Sequence, residues 1–173
     1  MKNGLLGTIW LGLLAILLII APVRTGETHE AKCPHCELDL TQDTPEQDNE
    51  VALKYGKKRI EYKCVMCAIA DAEKSYKGDL TILAPSEFKG KPIEIVRKDS
   101  LWSAPESTVF IGHKLKHRYC ERGYRAFTNI AAFKVHVEKY KVQLKDAKPV
   151  TLAEIVQIAK SDVIQDEKKG ESK

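Results

Sequence analysis

Tyr62-Lys63-Cys64-Val65-Met66-Cys67-Ala68 sets two thiols and a thioether in close succession, a concentration of soft sulfur in one short stretch. Further ligands for soft or borderline metals recur around it: Cys33-Pro34-His35-Cys36 upstream, and His113, His117 and Cys120 downstream. All five cysteines of the chain belong to these three motifs. The two Cys-x-x-Cys pairs could give four thiolates to one tetrahedral ion, and their separation is loosely that of a zinc ribbon. Met66 tilts the set toward Cu(I), which takes thioether with thiolate, although a single Met is more often a core residue than a ligand.

Other chemistries fit parts of the pattern. Cys33-Pro34-His35-Cys36 has the layout of a strongly oxidising disulfide exchanger, in which the two central residues lower the pKa of the first thiol. Such sites follow a buried strand and open a long helix. Here the pair follows a polar stretch and precedes Glu37-Leu38-Asp39-Leu40-Thr41 and an acidic loop. A thiol-disulfide oxidoreductase using the two pairs is therefore an alternative, and a structural zinc domain is another. His113-Lys114-Leu115-Lys116-His117-Arg118-Tyr119-Cys120 reads as a charged loop after a strand that ends at Gly112; a loop can still aim ligands at a site. An unpaired Cys120 risks oxidation outside the cell, which argues that it is held. No acid, base and nucleophile set emerges, so an enzyme is not expected.

These residues need a scaffold, and the chain's 173 residues suit one domain with an appendage. From Asn3 to Val23 there is no charged residue, a run long enough for a helix across the ~30 Å hydrocarbon core of a bilayer. Residues 1–24 are read as a signal anchor, with no Ala-x-Ala cleavage site ahead of the body, and residues 25–32 as a polar tether. The short N-terminal flank points to an extracytoplasmic body, anchored to the membrane by this helix. The formal charge of +4 includes Lys2 and Arg24 beside the apolar run, and the remainder is near neutral, which excludes nucleic acid as a partner. Residues 33–165 form the domain, and the mixed-charge residues 166–173 a disordered tail.

Within the domain, Val51–Tyr55 and Arg59–Lys63 flank Gly56 as a hairpin whose second strand feeds into Cys64. Val65 to Tyr76 has helical periodicity and is stopped by Gly78. Asp79–Ala84 and Pro92–Arg97 alternate as half-buried strands, and Ser107–Ile111 is a third. Gly123 to Tyr140 is expected as a longer helix, with Phe127, Ile130, Ala131, Phe133 and Val137 inward and His136 as a structural residue. Thr151-Leu152-Ala153-Glu154 is a capping box for a C-terminal helix. The order predicts an α+β domain, helices packed on one face of a mainly antiparallel sheet. Cys64 and Cys67 then fall at a strand-to-helix turn, where the first N–H groups and the positive end of the helix dipole favour thiolates.

The Cys36 motif with its amphipathic continuation, the aromatic-led segment bearing Cys67, the Trp-containing bend Leu101-Trp102-Ser103-Ala104 and Gly123, Ala126 and Phe127 together resemble the NosL family. That family comprises membrane-tethered copper-binding accessory proteins of nitrous-oxide reductase assembly. The resemblance covers roughly residues 33 to 140. It departs where Glu37-Leu38 stands for the family's Gly-Met and where Cys120 takes the place of a Met. Both changes make the set richer in thiolate, toward a tighter Cu(I) site or another ion such as zinc or mercury. NosL-like domains also resemble organomercurial lyases, but no Asp stands next to these thiols to support such a reaction. The resemblance implies a Cu(I) chaperone or metallocentre-assembly protein that gives metal to, or takes it from, a protein partner. Its expected ligands are Cys33, Cys36, Cys64, Cys67, Cys120 and His113, with Met66, His117 and His35 in addition.

Overall fold

The structure, a computed structural model, describes residues 29–42, 49–114 and 122–170. It is α+β, and every strand pair in it is antiparallel. The expected Val51–Tyr55 hairpin is present. β3 (Val51–Tyr55) and β4 (Lys58–Tyr62) pair from Val51↔Tyr62 to Tyr55↔Lys58 around Gly56, whose φ of 58° suits a residue without Cβ. β5 (Leu80–Ala84), β6 (Ile93–Lys98) and β7 (Leu101–Ser103) complete a sheet in the order β4-β3-β5-β6-β7. The register aligns Leu53, Ile82 and Ile95 across three strands, and all three are fully buried, so one face carries the core. The Trp102 segment, expected as a bend, is the edge strand of this sheet.

Helix α1 (Val65–Ser75) lies on that face, packed against β3, β4 and β5 and against α3 (Leu152–Gly170). Its buried residues run Val65, Met66, Cys67, Ala68, Ile69, Ala70 and Ala72, which is apolar nearly all round. A helix of that kind has to be central. The alanines keep it slim enough for Ile155 and Ala159 of α3, both fully buried, to join the same core. Thr151 caps α3 as expected: its hydroxyl accepts from the Glu154 N–H at 3.3 Å while the Glu154 carboxylate accepts from the Thr151 N–H at 2.8 Å. The helix continues to Gly170, into the mixed-charge stretch.

The single sheet foreseen is replaced by three. β8 (Val109–Lys114), β9 (Arg122–Phe127) and β10 (Lys148–Val150) form a second sheet in the order β10-β8-β9. The helix expected from Gly123 does not begin there. Arg122 to Phe127 pair with Lys114 to Val109, and α2 (Ile130–Lys139) starts only after Asn129, whose side chain accepts from the Ala132 N–H at 3.0 Å. Ladder bonds to β8 outweigh helical periodicity over these residues, and the Asn cap fixes where the helix begins. β8 likewise runs through Gly112 to Lys114 instead of stopping at Gly112, so His113 is a strand residue. The third sheet is a hairpin of β1 (His29–Lys32) and β2 (Asp39–Gln42), so part of the stretch read as a tether is ordered strand.

Among the described residues no helix is long and apolar enough to cross a membrane. The apolar run Asn3 to Val23 lies outside them, as do His117 and Cys120.

Candidate metal centre

The β1–β2 hairpin closes on Lys32↔Asp39, which makes Cys33 to Leu38 its loop. The loop is tight: the Cys33 N–H donates to the Leu38 carbonyl and the Glu37 N–H to the Cys33 carbonyl, each at 2.9 Å, with Glu37 turned to a φ of 60°. This folding directs Cys33 and Cys36 inward, leaving them 1% and 2% exposed. From the other side, β4 delivers the chain into Cys64, the N-cap of α1, and Cys67 follows in the first turn, 0% exposed. The sulfurs of Cys33, Cys36 and Cys67 lie within 4.8 Å of one another. None of the four described cysteines is in a disulfide.

Cys64 does not complete that set. Its backbone is extended (φ −155°, ψ 167°), so its side chain leaves before the helix begins, whereas Cys67 is carried on the helix itself. Its sulfur donates to that of Cys67 at 3.4 Å. The four-thiolate site anticipated from the two pairs thus resolves into three converging thiols and a neighbour. His35 lies half-buried in the Cys33–Cys36 loop, and Met66 is buried in the surrounding core. His113 is on β8, half-buried, with its Nδ1 enclosed and without a hydrogen-bond partner among the described residues. Burial holds its pKa below the usual value, opposed by the charges of Asp146 and Cys64.

The environment of the three thiols favours a bound thiolate. The thiols of Cys36 and Cys67 donate to Cys33, joined by the backbone N–H groups of Cys36 and Lys63, and together they hold the Cys33 thiol far below the ordinary range despite burial. The donor role toward Cys33 pushes Cys36 the other way. A metal needs such charge already stripped of water, and amide donors to sulfur persist when the thiol proton is replaced by a cation. Metal–sulfur bonds of ~2.3 Å put the sulfurs of one ion about 4 Å apart, which three thiols already this close reach by small rotamer changes. The donor set therefore fits a soft ion.

Residues around the thiols support this arrangement, and Arg97, Glu73 and Asp71 among them carry no motif of their own. Arg97, only 5% exposed, donates to the carbonyls of Ala72, Tyr76 and Gly78 at 2.8–3.1 Å and so satisfies the C-terminal end of α1. Glu73 of α1 pairs with Arg97 at 3.8 Å and accepts from Trp102 Nε1 at 2.7 Å. The signal was present in the sequence, since the alternation that buries Ile93 and Ile95 also turns Arg97 inward. Asp71, one helical turn beyond Cys67, accepts from the Tyr62 hydroxyl and from Ser75 Oγ, and Tyr62 is fully buried beside the turn into Cys64. Lys63, whose N–H faces Cys33, is tied through Nζ to the buried Glu50 at 2.8 Å. His136, expected to be structural, packs between Phe127 and Tyr140, with ring centroids 5.0 and 4.8 Å away.

No family model and no curated protein matches this chain. Among solved structures the fold is similar to the mercury-bound form of MerB2, with a TM-score of 0.53 at 14% identity. The match covers 66% of this chain and 58% of that one, and at this identity it shows a shared fold alone. The chain is thus an α+β protein with MerB2-like topology, in which three buried thiols from a hairpin loop and a helix start form a site able to hold a soft metal ion.

Proposed function

We propose that the protein binds Cu(I) between Cys33, Cys36 and Cys67 as cargo and exchanges it with a protein partner, in the manner of a metallocentre-assembly accessory protein. The carrying observation is that three sulfurs from separate parts of the chain lie within 4.8 Å of one another with almost no exposure. Thiolate donors select Cu(I) over harder cations, and Cu(I) is satisfied by three of them. The uncharged run Asn3 to Val23 supports a membrane anchor with the domain outside the cytoplasm. The sulfur-rich resemblance to NosL-like sequences supports the same reading.

A second soft ion, mercury or zinc, is favoured by the same thiols, and the mercury-bound state of the similar MerB2 fold adds weight to mercury. Thiol-disulfide exchange is disfavoured by burial, because a mixed disulfide needs an attacking thiolate that a partner can reach.

Metal analysis of protein purified anaerobically tests the proposal, with about one equivalent of copper expected. Cys33→Ser, Cys36→Ser and Cys67→Ser should each weaken Cu(I) binding at least ~100-fold in competition with a chromophoric chelator, about 2.7 kcal/mol. Tightly held zinc that copper does not displace, or wild-type copper affinity in all three variants, would overturn it.

A further inference from the structure

A cavity of about 270 Å³ opens beside Cys64, in the seam between the two larger sheets. Lys63, Cys64, Glu50, Asn49, His113 and Arg125 line it. Cys33, Cys36 and Cys67 do not, so among the described cysteines Cys64 is the one that this space reaches. Behind it, 3.4 Å away, stands the Cys67 sulfur, itself within 4.8 Å of the other two. A continuous line of sulfur therefore leads from the cavity to the buried set. The volume suits a small molecule, and with Lys63 paired to Glu50 at 2.8 Å the guanidinium of Arg125 leaves the wall with an excess positive charge.

We propose that this cavity is the loading port of the site, and that Cys64 is an exchange thiol which takes the metal from a small anionic thiol complex and passes it to Cys67. This rests on the metal-binding reading above and adds the route and the class of carrier. In the first exchange the bond from metal to carrier sulfur breaks as the bond to Cys64 forms, and the Cys64 thiol proton leaves on the carrier sulfur. In the second the metal–Cys64 bond breaks as that to Cys67 forms, and the Cys67 proton returns to Cys64. The remaining bonds, to Cys33 and Cys36, complete the set, each forming as any proton still on that sulfur leaves for solvent. The metal keeps its oxidation state throughout. His113 lines the same cavity and its Nδ1 has no hydrogen-bond partner among the described residues, so a turn of the ring would offer a second donor to an ion passing through.

The test is anaerobic stopped-flow loading of the reduced full chain with Cu(I) supplied as its glutathione complex, alongside equilibrium competition with a chelator. Cys64→Ser should slow loading at least tenfold while lowering equilibrium affinity by less than threefold. His113→Ala should slow it at least threefold, and serves in place of Cys64→Ser if that variant lacks the wild-type circular dichroism. Loading by Cys64→Ser within twofold of wild type overturns the inference alone. So does an equal fall in rate and affinity, which would make Cys64 a resident ligand. Wild-type protein that takes up no copper overturns the binding proposal and this inference together.

Discussion

The five-stranded sheet with α1 and the three-stranded sheet with α2 share a chain but are built to different standards. α1 buries seven residues, and its last turn is satisfied by the enclosed Arg97. α2 buries only Phe133, while Val135 on it and Val142 beyond it stay 70% and 80% exposed. Its core is a satellite of Ile111, Phe127, Phe133 and Leu144. The two regions meet through Phe110, Ala126 and Val150 of the second sheet, which join the α1 core, and where Arg125 donates to the Ser86 carbonyl at 3.1 Å and Glu87 accepts from Thr128. The thiols sit with the over-determined helix, and the cavity lies along the seam with the looser region. Ligands that must converge need a scaffold whose rotamers are locked, whereas a port tolerates, and benefits from, a wall with less packing behind it.

The widest test of this contrast is Arg97→Met, which takes the charged donors from the Tyr76 and Gly78 carbonyls just past α1 and leaves Glu73 with Lys160 alone as its cation. A cost of about 3–5 kcal/mol in urea denaturation is expected, together with weakened Cu(I) binding as α1 loosens. Phe133→Ala should cost about 3 kcal/mol, the low end for a Phe in a small core, yet leave Cu(I) affinity within threefold of wild type. If the two substitutions alter copper binding equally, the regions are not separable and the contrast fails.

Tyr62 sharpens the comparison through pH. Burial, and then the hydrogen bond to Asp71, raise its folded pKa well above the ordinary value of 10.0. A raised folded pKa means that the unfolded chain releases this proton first, so stability is intact below about pH 10 and falls as pH rises beyond it. Tyr62→Phe should reduce that alkaline slope by up to about 1.4 kcal/mol per pH unit, the share of one proton. An unchanged slope would mean that the hydroxyl is not sealed in the wall next to Cys64. The smallest effect is at the far helix: Thr151→Ala removes the α3 cap and should lower stability by about 1 kcal/mol. The Thr151 N–H and then its hydroxyl hold the Glu154 carboxyl below its usual pKa, so the part of the wild-type advantage that comes from the hydroxyl's bond to the carboxylate is present at neutral pH and lost as pH falls through that depressed value, while the bond from the Glu154 N–H to the hydroxyl persists.

The elements that proved legible in the sequence were those with local causes. α1, the β3–β4 hairpin and the α3 cap follow from periodicity, a Gly turn and a capping box. Elements whose partners are distant are not legible in this way. Phe127, Ile130 and Phe133 share a helical stripe, yet Arg122–Phe127 face a six-residue ladder on β8 that no local pattern reveals. The same ladder carries β8 past Gly112. Arg97 reads as solvent-facing, like any charged residue in an alternating strand, until its parity with Ile93 and Ile95 is followed.

Residue types and spacing alone determined that this chain carries soft donors in pairs, that one pair opens a helix, and that its formal net charge is only +4. Those properties are local: a thiol is soft wherever it lies, and a Cys at a helix start meets N–H groups in any fold. Which thiols meet was decided only by the tertiary structure. The β1–β2 loop must close over the first turn of α1 before Cys33 and Cys36 reach Cys67, and the extended backbone at Cys64 leaves that residue to the cavity. Convergence depends on contacts between segments far apart in the chain, and the spacing of cysteines along it does not encode the distance between their sulfurs.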